Sequence, residues 1–120
     1  MTVFECCRTA VVTASPEASV REVARLMSES NVGSVVIMTD DCCPMGIVTD
    51  RDLVTRVMAP DRNPKTTKVR EVMTTDLVVV EDGTGLYEAL QCVREKGIRR
   101  LPIVDRDGKL VGIITMDDII

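Results

Sequence analysis

The apolar residues change period along the chain, and each period predicts an element. Val11-Val12-Thr13 is a short β-branched run that predicts a strand, closed by the turn residues Ser15-Pro16. From Ser19 the spacing becomes helical. Val20, Val23, Ala24 and Met27 stand at i, i+3, i+4 and i+7, and Ser19 and Glu22 have capping-box spacing. Two further runs, Ser34-Val35-Val36-Ile37-Met38 and Met45-Gly46-Ile47-Val48, predict strands joined by a polar turn. Their unbroken apolar character predicts cover on both faces. A second helix starts after Thr49 and carries Leu53, Val54, Val57 and Met58 until Ala59-Pro60 stops it.

The same succession returns 66 residues later without a gap. Val12 falls on Val78, Glu22 on Glu88, Ile37 on Ile103 and Asp41 on Asp107, and Val3-Phe4-Glu5 answers to Val69-Arg70-Glu71. The helical face recurs as Leu86, Ala89, Leu90 and Val93, with Gly85 in place of the capping serine, a change worth a few tenths of a kcal/mol. Leu101-Pro102-Ile103-Val104 and Leu110-Val111-Gly112-Ile113-Ile114 repeat the strand pair around the hairpin residues Asp105-Arg106-Asp107-Gly108-Lys109. An internal repeat fixes the architecture. The predicted class is α/β (α+β), with two pseudo-symmetric strand-helix-strand-strand-helix repeats at 1–58 and 69–120. The linker between them, 59–68, holds Pro60, Asn63 and Pro64. Each repeat would be marginal alone, so the two are expected to pack on each other. Nothing in the sequence matches Thr55-Arg56-Val57-Met58 after Ile120, so the last helix is expected to be short or cut.

The best-matched segment is a polar turn. Gly46-Ile47-Val48-Thr49-Asp50-Arg51-Asp52 returns as Gly112-Ile113-Ile114-Thr115-Met116-Asp117-Asp118, each time where a buried strand gives way to a helix. Such a junction presents free backbone N–H groups and the positive end of the helix dipole, which suits an anion. The Thr49 and Thr115 hydroxyls reach the same place, and a carboxylate such as Asp52 or Asp118 accepts the paired hydroxyls of a ribose. Together these describe a nucleotide. Thr-x-x-Asp is also a form of capping box, and the two readings are compatible, since a capped helix start can still face a pocket.

The repeat resembles the tandem pair named after cystathionine β-synthase, the CBS-domain pair or Bateman module, over essentially the whole chain. The markers are Val69-Arg70-Glu71-Val72-Met73-Thr74, Gly97-Ile98-Arg99-Arg100-Leu101-Pro102-Ile103-Val104-Asp105 and the two Gly-x-x-Thr-x-x-Asp turns. That resemblance implies a regulatory sensor of an adenosine ligand (AMP, ADP, ATP or S-adenosylmethionine), held in two pseudo-symmetric clefts between the repeats. It implies that Asp52 and Asp118 take the ribose hydroxyls and that Thr49 and Thr115 line the phosphate or sugar side. Val32, Gly33 and Ser34 in one copy, and Ile98, Arg99 and Arg100 in the other, would border the clefts. Thr74 and Val78 would border the base, as would Arg8 and Val12, although Cys6-Cys7-Arg8 departs from the family pattern. It implies further a homodimer paired through the second helices, with the signal passed to an effector protein or to a further domain. The copies differ in charge. Arg99 and Arg100 replace Gly33 and Ser34, and Arg51 stands where Asp117 does, so unequal sites are expected, at least one of them suited to phosphate.

Composition narrows the alternatives. Net charge is -4, which disfavours non-specific nucleic-acid binding, and Phe4 and Tyr87 are the only aromatic residues, too few for a base-stacking platform. The base would have to lie between aliphatic side chains. No apolar run is long enough to span a bilayer and the N-terminus lacks signal-peptide character, so a cytoplasmic protein without membrane contact is expected. With no histidine and no nucleophile beside a base, no catalytic residue is assigned and no enzyme activity is expected. Of the five cysteines, Cys6, Cys7 and Cys92 match Val72, Met73 and Leu26, while Cys42-Cys43 fall in a turn. Free, reduced thiols are therefore expected, with no metal site and no required cofactor. The competing reading is a ligand-free dimerisation or interaction scaffold.

Overall fold

The structure is a computed structural model and describes residues 1–116. In chain order they form α1 (Val3–Cys6), β1 (Thr13–Ala14), α2 (Val20–Ser30), β2 (Ser34–Met38), β3 (Pro44–Thr49) and α3 (Asp50–Leu53). A π-helical turn, Val54–Met58, continues α3. A short 3-10 turn at Val69–Glu71 then precedes β4 (Val80–Glu81), α4 (Leu86–Lys96), β5 (Arg100–Val104) and β6 (Leu110–Thr115). Two three-stranded sheets result, ordered β1-β2-β3 and β4-β5-β6, each with its first two strands parallel and its last two antiparallel. The register repeats as the sequence does. Ser34 lies opposite Thr49 and Ile37 opposite Gly46, just as Arg100 lies opposite Thr115 and Ile103 opposite Gly112.

The compact units do not coincide with the sequence repeats. One comprises Val12–Leu77; the other joins Met1–Val11 to the chain from Val78 onward. The short segment before each first strand has thus been exchanged, and its hydrogen bonds explain why. Helix α2 begins with orphan N–H groups. Val20 N–H donates to Thr67 O (2.9 Å) and Arg21 N–H to Pro64 O (3.0 Å), while Val69 N–H returns a bond to Ala18 O (2.8 Å). In the other unit Leu86 N–H donates to Met1 O (3.0 Å) and Val3 N–H to Thr84 O (2.8 Å). Val3 and Val69 are each fully buried in the core of the unit that receives them. The region 59–68 is accordingly ordered backbone over the start of α2, with Thr67 buried at its end.

Several local expectations shift. The first strand is Thr13–Ala14 rather than Val11–Thr13, because Val12 contributes only its carbonyl, to Val36 N–H (3.1 Å). On α2 the buried residues are Val20, Val23 and Met27 with Leu26 packed beside them, whereas Ala24 is exposed. Ser19 Oγ accepts from Glu22 N–H (3.1 Å), the hydroxyl half of the capping box; Gly85 caps α4 with no side-chain bond. After Thr49 only Val57 is fully buried, with Leu53 packed beside it, and the widened π turn leaves Val54 and Met58 facing solvent. Val35-Val36-Ile37 and Leu101-Pro102-Ile103-Val104 are buried at successive positions, the cover on both faces expected of them. Two left-handed backbone positions also follow the repeat. Asn31 (φ 53°) ends α2 where Gly97 (φ 64°) ends α4, and Cys42 (φ 65°) turns the first hairpin where Gly108 (φ 81°) turns the second. Cys6 is exposed, unlike its buried match Val72, because α1 is a single turn with only Val3 facing inward.

Both exchanged segments carry the same carboxylate cap. Glu5 accepts from Thr2 N–H (3.2 Å) and Glu71 from Lys68 N–H (2.7 Å). Those backbone bonds hold both carboxyls below the ordinary value of 4.5. A carboxyl lowered in the folded state contributes stability above its unfolded value and loses it as pH falls through the folded value. A Glu5→Gln/Glu71→Gln variant is therefore expected to lose less of its thermal midpoint than the parent when acidified from neutral pH to below the ordinary carboxylate value. Parallel acid curves for the two proteins would remove the carboxylates from the account.

Candidate functional site

Thr49 ends β3 with extended backbone (φ -112°, ψ 165°) and caps α3 reciprocally. Its Oγ1 accepts from Asp52 N–H (3.1 Å), while Asp52 Oδ2 accepts from Thr49 N–H (2.9 Å). Asp50 N–H donates to Gly33 O (3.0 Å) and Arg51 N–H to Asp50 Oδ1 (2.9 Å). The backbone donors that the sequence implied were free at this junction are therefore bonded within the chain, so an anion here would be recognised by side chains.

The unit Val12–Leu77 brings most of the first set of predicted residues together. Ser34 faces Thr49 across the β2–β3 ladder, and Gly33 is tied to Asp50. Val32 and Val12 are half-buried at the end of α2 and beside β2, and Arg51 is exposed. Thr74 arrives on the exchanged segment. Its N–H donates to Ile47 O (2.8 Å), and Ile47 N–H donates to Thr74 O (3.0 Å), two residues before Thr49.

One residue that the sequence reading passed over joins these corners. Arg56 Nη1 donates to Val72 O (2.8 Å) and Thr74 Oγ1 (3.4 Å), and its Nε lies 3.7 Å from Asp52 Oδ1. Its signal was the i, i+4 spacing from Asp52 on one helix. The Arg56 side chain is 46% exposed and that of Asp52 16%, so the ion pair alone is worth under about 1 kcal/mol.

The other unit repeats the frame with different chemistry. Arg100 faces Thr115 across the β5–β6 ladder, and Met116 N–H donates to Arg99 O (2.9 Å). Arg8 exchanges backbone bonds with Ile113 (2.9 Å each way), as Thr74 does with Ile47. Val78 and Ile98 pack against the core of this unit. A hollow of about 400 Å³ opens between the end of α4 and Met116, lined by Leu90, Val93, Gly97, Ile98 and Arg99. Asp118, predicted as the second ribose ligand, lies outside the described residues, as does Asp117.

The glycine that leads each motif has a packing reason. A Cβ on Gly46 would stand 2.5 Å from Met73 Sδ, and one on Gly112 would meet Cys7 Sγ and lie 3.0 Å from Arg8 O. Each glycine thus admits the exchanged segment against the strand that leads to the threonine. Burial pushes the Cys7 thiol up from its ordinary value, in keeping with a packing role. All five cysteines are free, and among the described residues no three His, Cys, Asp or Glu side chains are grouped to hold a metal ion. No described helix is long and apolar enough to cross a membrane.

Comparison with known proteins decides the family. A model of the CBS domain matches residues 3–59 and 69–120. The chain belongs to the CBS-domain family. It is 43% identical over 120 residues to an uncharacterised protein of Methanopyrus kandleri, covering all of this chain and 61% of that relative. A solved structure of an uncharacterised conserved protein from Pyrococcus horikoshii superposes with a TM-score of 0.87 at 32% identity, covering 98% of this chain and 88% of that one. The CBS-domain protein of Pyrobaculum aerophilum, solved in complex with AMP, has the same fold (TM-score 0.88, 24% identity, 98% of this chain and 89% of that one). The fold predicted from the repeat, a mixed α and β CBS pair, is the fold found.

The two motif glycines of this CBS pair should respond differently to substitution. Gly112→Ala drives a methyl against backbone, at Arg8 O, and is expected to cost about 1–3 kcal/mol in urea unfolding. Gly46→Ala meets only the flexible Met73 side chain and should cost less. Equal losses would show that contact with backbone rather than with a flexible side chain is not what sets the cost.

Proposed function

We propose that this CBS pair is a regulatory module that binds an adenosine ligand (AMP, ADP, ATP or S-adenosylmethionine) and passes the signal to a partner protein or a further domain. The observation that supports it most is the exchanged segment. Thr74, assigned to the base, is laddered to Ile47 beside the Thr49 and Asp52 corner assigned to phosphate and ribose. Asp52 keeps Oδ1 outside the helix cap, leaving a carboxylate oxygen to accept ribose hydroxyls. In this reading Val12 and Val32 supply aliphatic walls for the base in the first copy, and in the second Asp118 is the equivalent acceptor and Val78 and Ile98 the aliphatic walls. Because the α3 start is already capped, phosphate falls to Arg51 with Thr49 in the first copy, and to Arg99 and Arg100 with Thr115 in the second. The protein would act without catalysis, by favouring one arrangement of its elements on binding. A cytoplasmic homodimer is part of the same proposal. Exposed Val54 and Met58 on the helix after Thr49 also support the rival reading, a dimerisation scaffold with no ligand.

Thermal unfolding against AMP, ADP, ATP, S-adenosylmethionine, NADH and GTP separates the two. A ligand at 100 times its dissociation constant adds about 2.7 kcal/mol, several degrees for a domain of this size. Asp52→Ala forfeits a cap worth about 1 kcal/mol, so each variant is compared with its own unliganded midpoint. The expected result is a shift with adenosine ligands that Asp52→Ala or Asp118→Ala abolishes. No shift at millimolar ligand would favour the scaffold and reduce both Thr-x-x-Asp turns to helix caps.

A further inference from the structure

We propose that Arg56 is the positioning residue of the Asp52 site, setting its hydrogen-bond polarity and coupling its ribose corner to its base corner. The proposal rests on the reading of Asp52 and Thr74 as ligand contacts. Its basis is a run of hydrogen bonds within one unit that an ion-pair contact closes. Asp52 is bonded to Thr49, Ile47 two residues earlier is laddered to Thr74, and Arg56 links Thr74 and Val72 back to Asp52.

Arg56 completes that circuit with groups only it could bring together. Its Nη1 is anchored on a backbone carbonyl, Val72 O, at 2.8 Å, so the head of a half-exposed side chain is fixed in place. The same nitrogen faces Thr74 Oγ1, taking up a lone pair of that hydroxyl and leaving its proton free to be donated. Thr74 is thereby set as a donor, the partner that a ring nitrogen of a base requires. The carboxylate is held through Oδ2 by Thr49 N–H (2.9 Å), while Nε faces Oδ1 at 3.7 Å, an ion-pair contact too long for a hydrogen bond that biases this oxygen without saturating it. Asp52 is set as the acceptor that a diol requires. A ligand whose hydroxyls draw on Asp52 competes for the oxygen that faces this guanidinium, so occupancy of the sugar corner is felt at Thr74, on the segment leading to Leu77.

The test uses Arg56→Met, which keeps the apolar stem and removes every donor, and Arg56→Lys, which keeps the charge but lacks the fork that serves two sites at once. Amide hydrogen exchange needs no ligand. In both variants the Thr49 and Thr74 amides should exchange faster by up to about fivefold, while the buried Val36 amide, bonded to Val12 O, keeps its rate as the control for global stability. Titration with AMP and with 2'-deoxy-AMP supplies the second readout. Loss of a hydrogen bond to a charged carboxylate should weaken the parent for the deoxy compound by about 10- to 100-fold. That ratio should fall by up to about fivefold in both variants. Unchanged exchange at Thr49 and Thr74 would overturn the coupling. A variant that weakens both nucleotides equally, leaving the ratio intact, would reduce Arg56 to a structural role and overturn the positioning. If the parent protein binds neither nucleotide, AMP is ruled out as the ligand of this site and the ligand half of the proposal falls, while the exchange result still decides the coupling.

Discussion

The architecture depends on one exchange: the segment before each first strand serves the other repeat. Helix α2 and helix α4 both begin with N–H groups that must find acceptors, and the exchanged backbone supplies them at Thr67 and Pro64 in one unit and at Met1 in the other. Each segment then buries one valine completely, Val69 or Val3, and closes with a backbone ladder to the strand before the motif threonine. A repeat of this size has too little apolar surface to hold itself together. Exchanging its first residues makes each core a product of both copies, so neither repeat is a complete unit without the other's segment.

The same exchange builds the candidate site. In the first copy the Gly-x-x-Thr-x-x-Asp turn supplies the Thr49 hydroxyl and the Asp52 carboxylate, but these engage in the reciprocal helix cap and do not by themselves make a pocket. The segment laid over Gly46 or Gly112 adds a second edge: Thr74 beside Ile47, or Arg8 beside Ile113. Glycine is needed in the motif because a methyl there would occupy the space of that edge. The glycine, the threonine and the exchanged segment are therefore one device, and the spacing between Gly46 and Asp52 records it.

Much of this was legible in the sequence because the repeat has a single register. The strand pairs, both long helices and the hairpins follow from apolar period and turn chemistry, and the offset that aligns Ile37 with Ile103 also aligns the observed ladders. The exchange itself was not legible. Val69-Arg70-Glu71 matches Val3-Phe4-Glu5 equally well whether each packs on its own repeat or on the other, since periodicity records a face and not its partner. Ala24 differs from its predicted place for a related reason: four apolar positions within two turns define a stripe wider than the buried one, and tertiary packing selects its edge. Arg56 was missed because its i, i+4 pairing with Asp52 is common on solvated helices, and only the fold brings Val72 O within its reach.

Capping at the start of α3 changes what can discriminate between ligands. Had the backbone N–H groups of Asp50, Arg51 and Asp52 been open, both copies would offer the same anion site, because backbone does not vary with sequence. With those groups bonded to Gly33 O, Asp50 Oδ1 and Thr49 Oγ1, anion recognition passes to side chains, and side chains differ between the copies. Gly33 and Ser34 bring no charge opposite Thr49, whereas Arg99 and Arg100 bring two cations to the positions opposite Thr115 and Met116. The strand ladders that carry the two motif threonines match in register, while the charge beside them differs between the copies. A repeat protein can become asymmetric in this way without disturbing the exchange that holds it together.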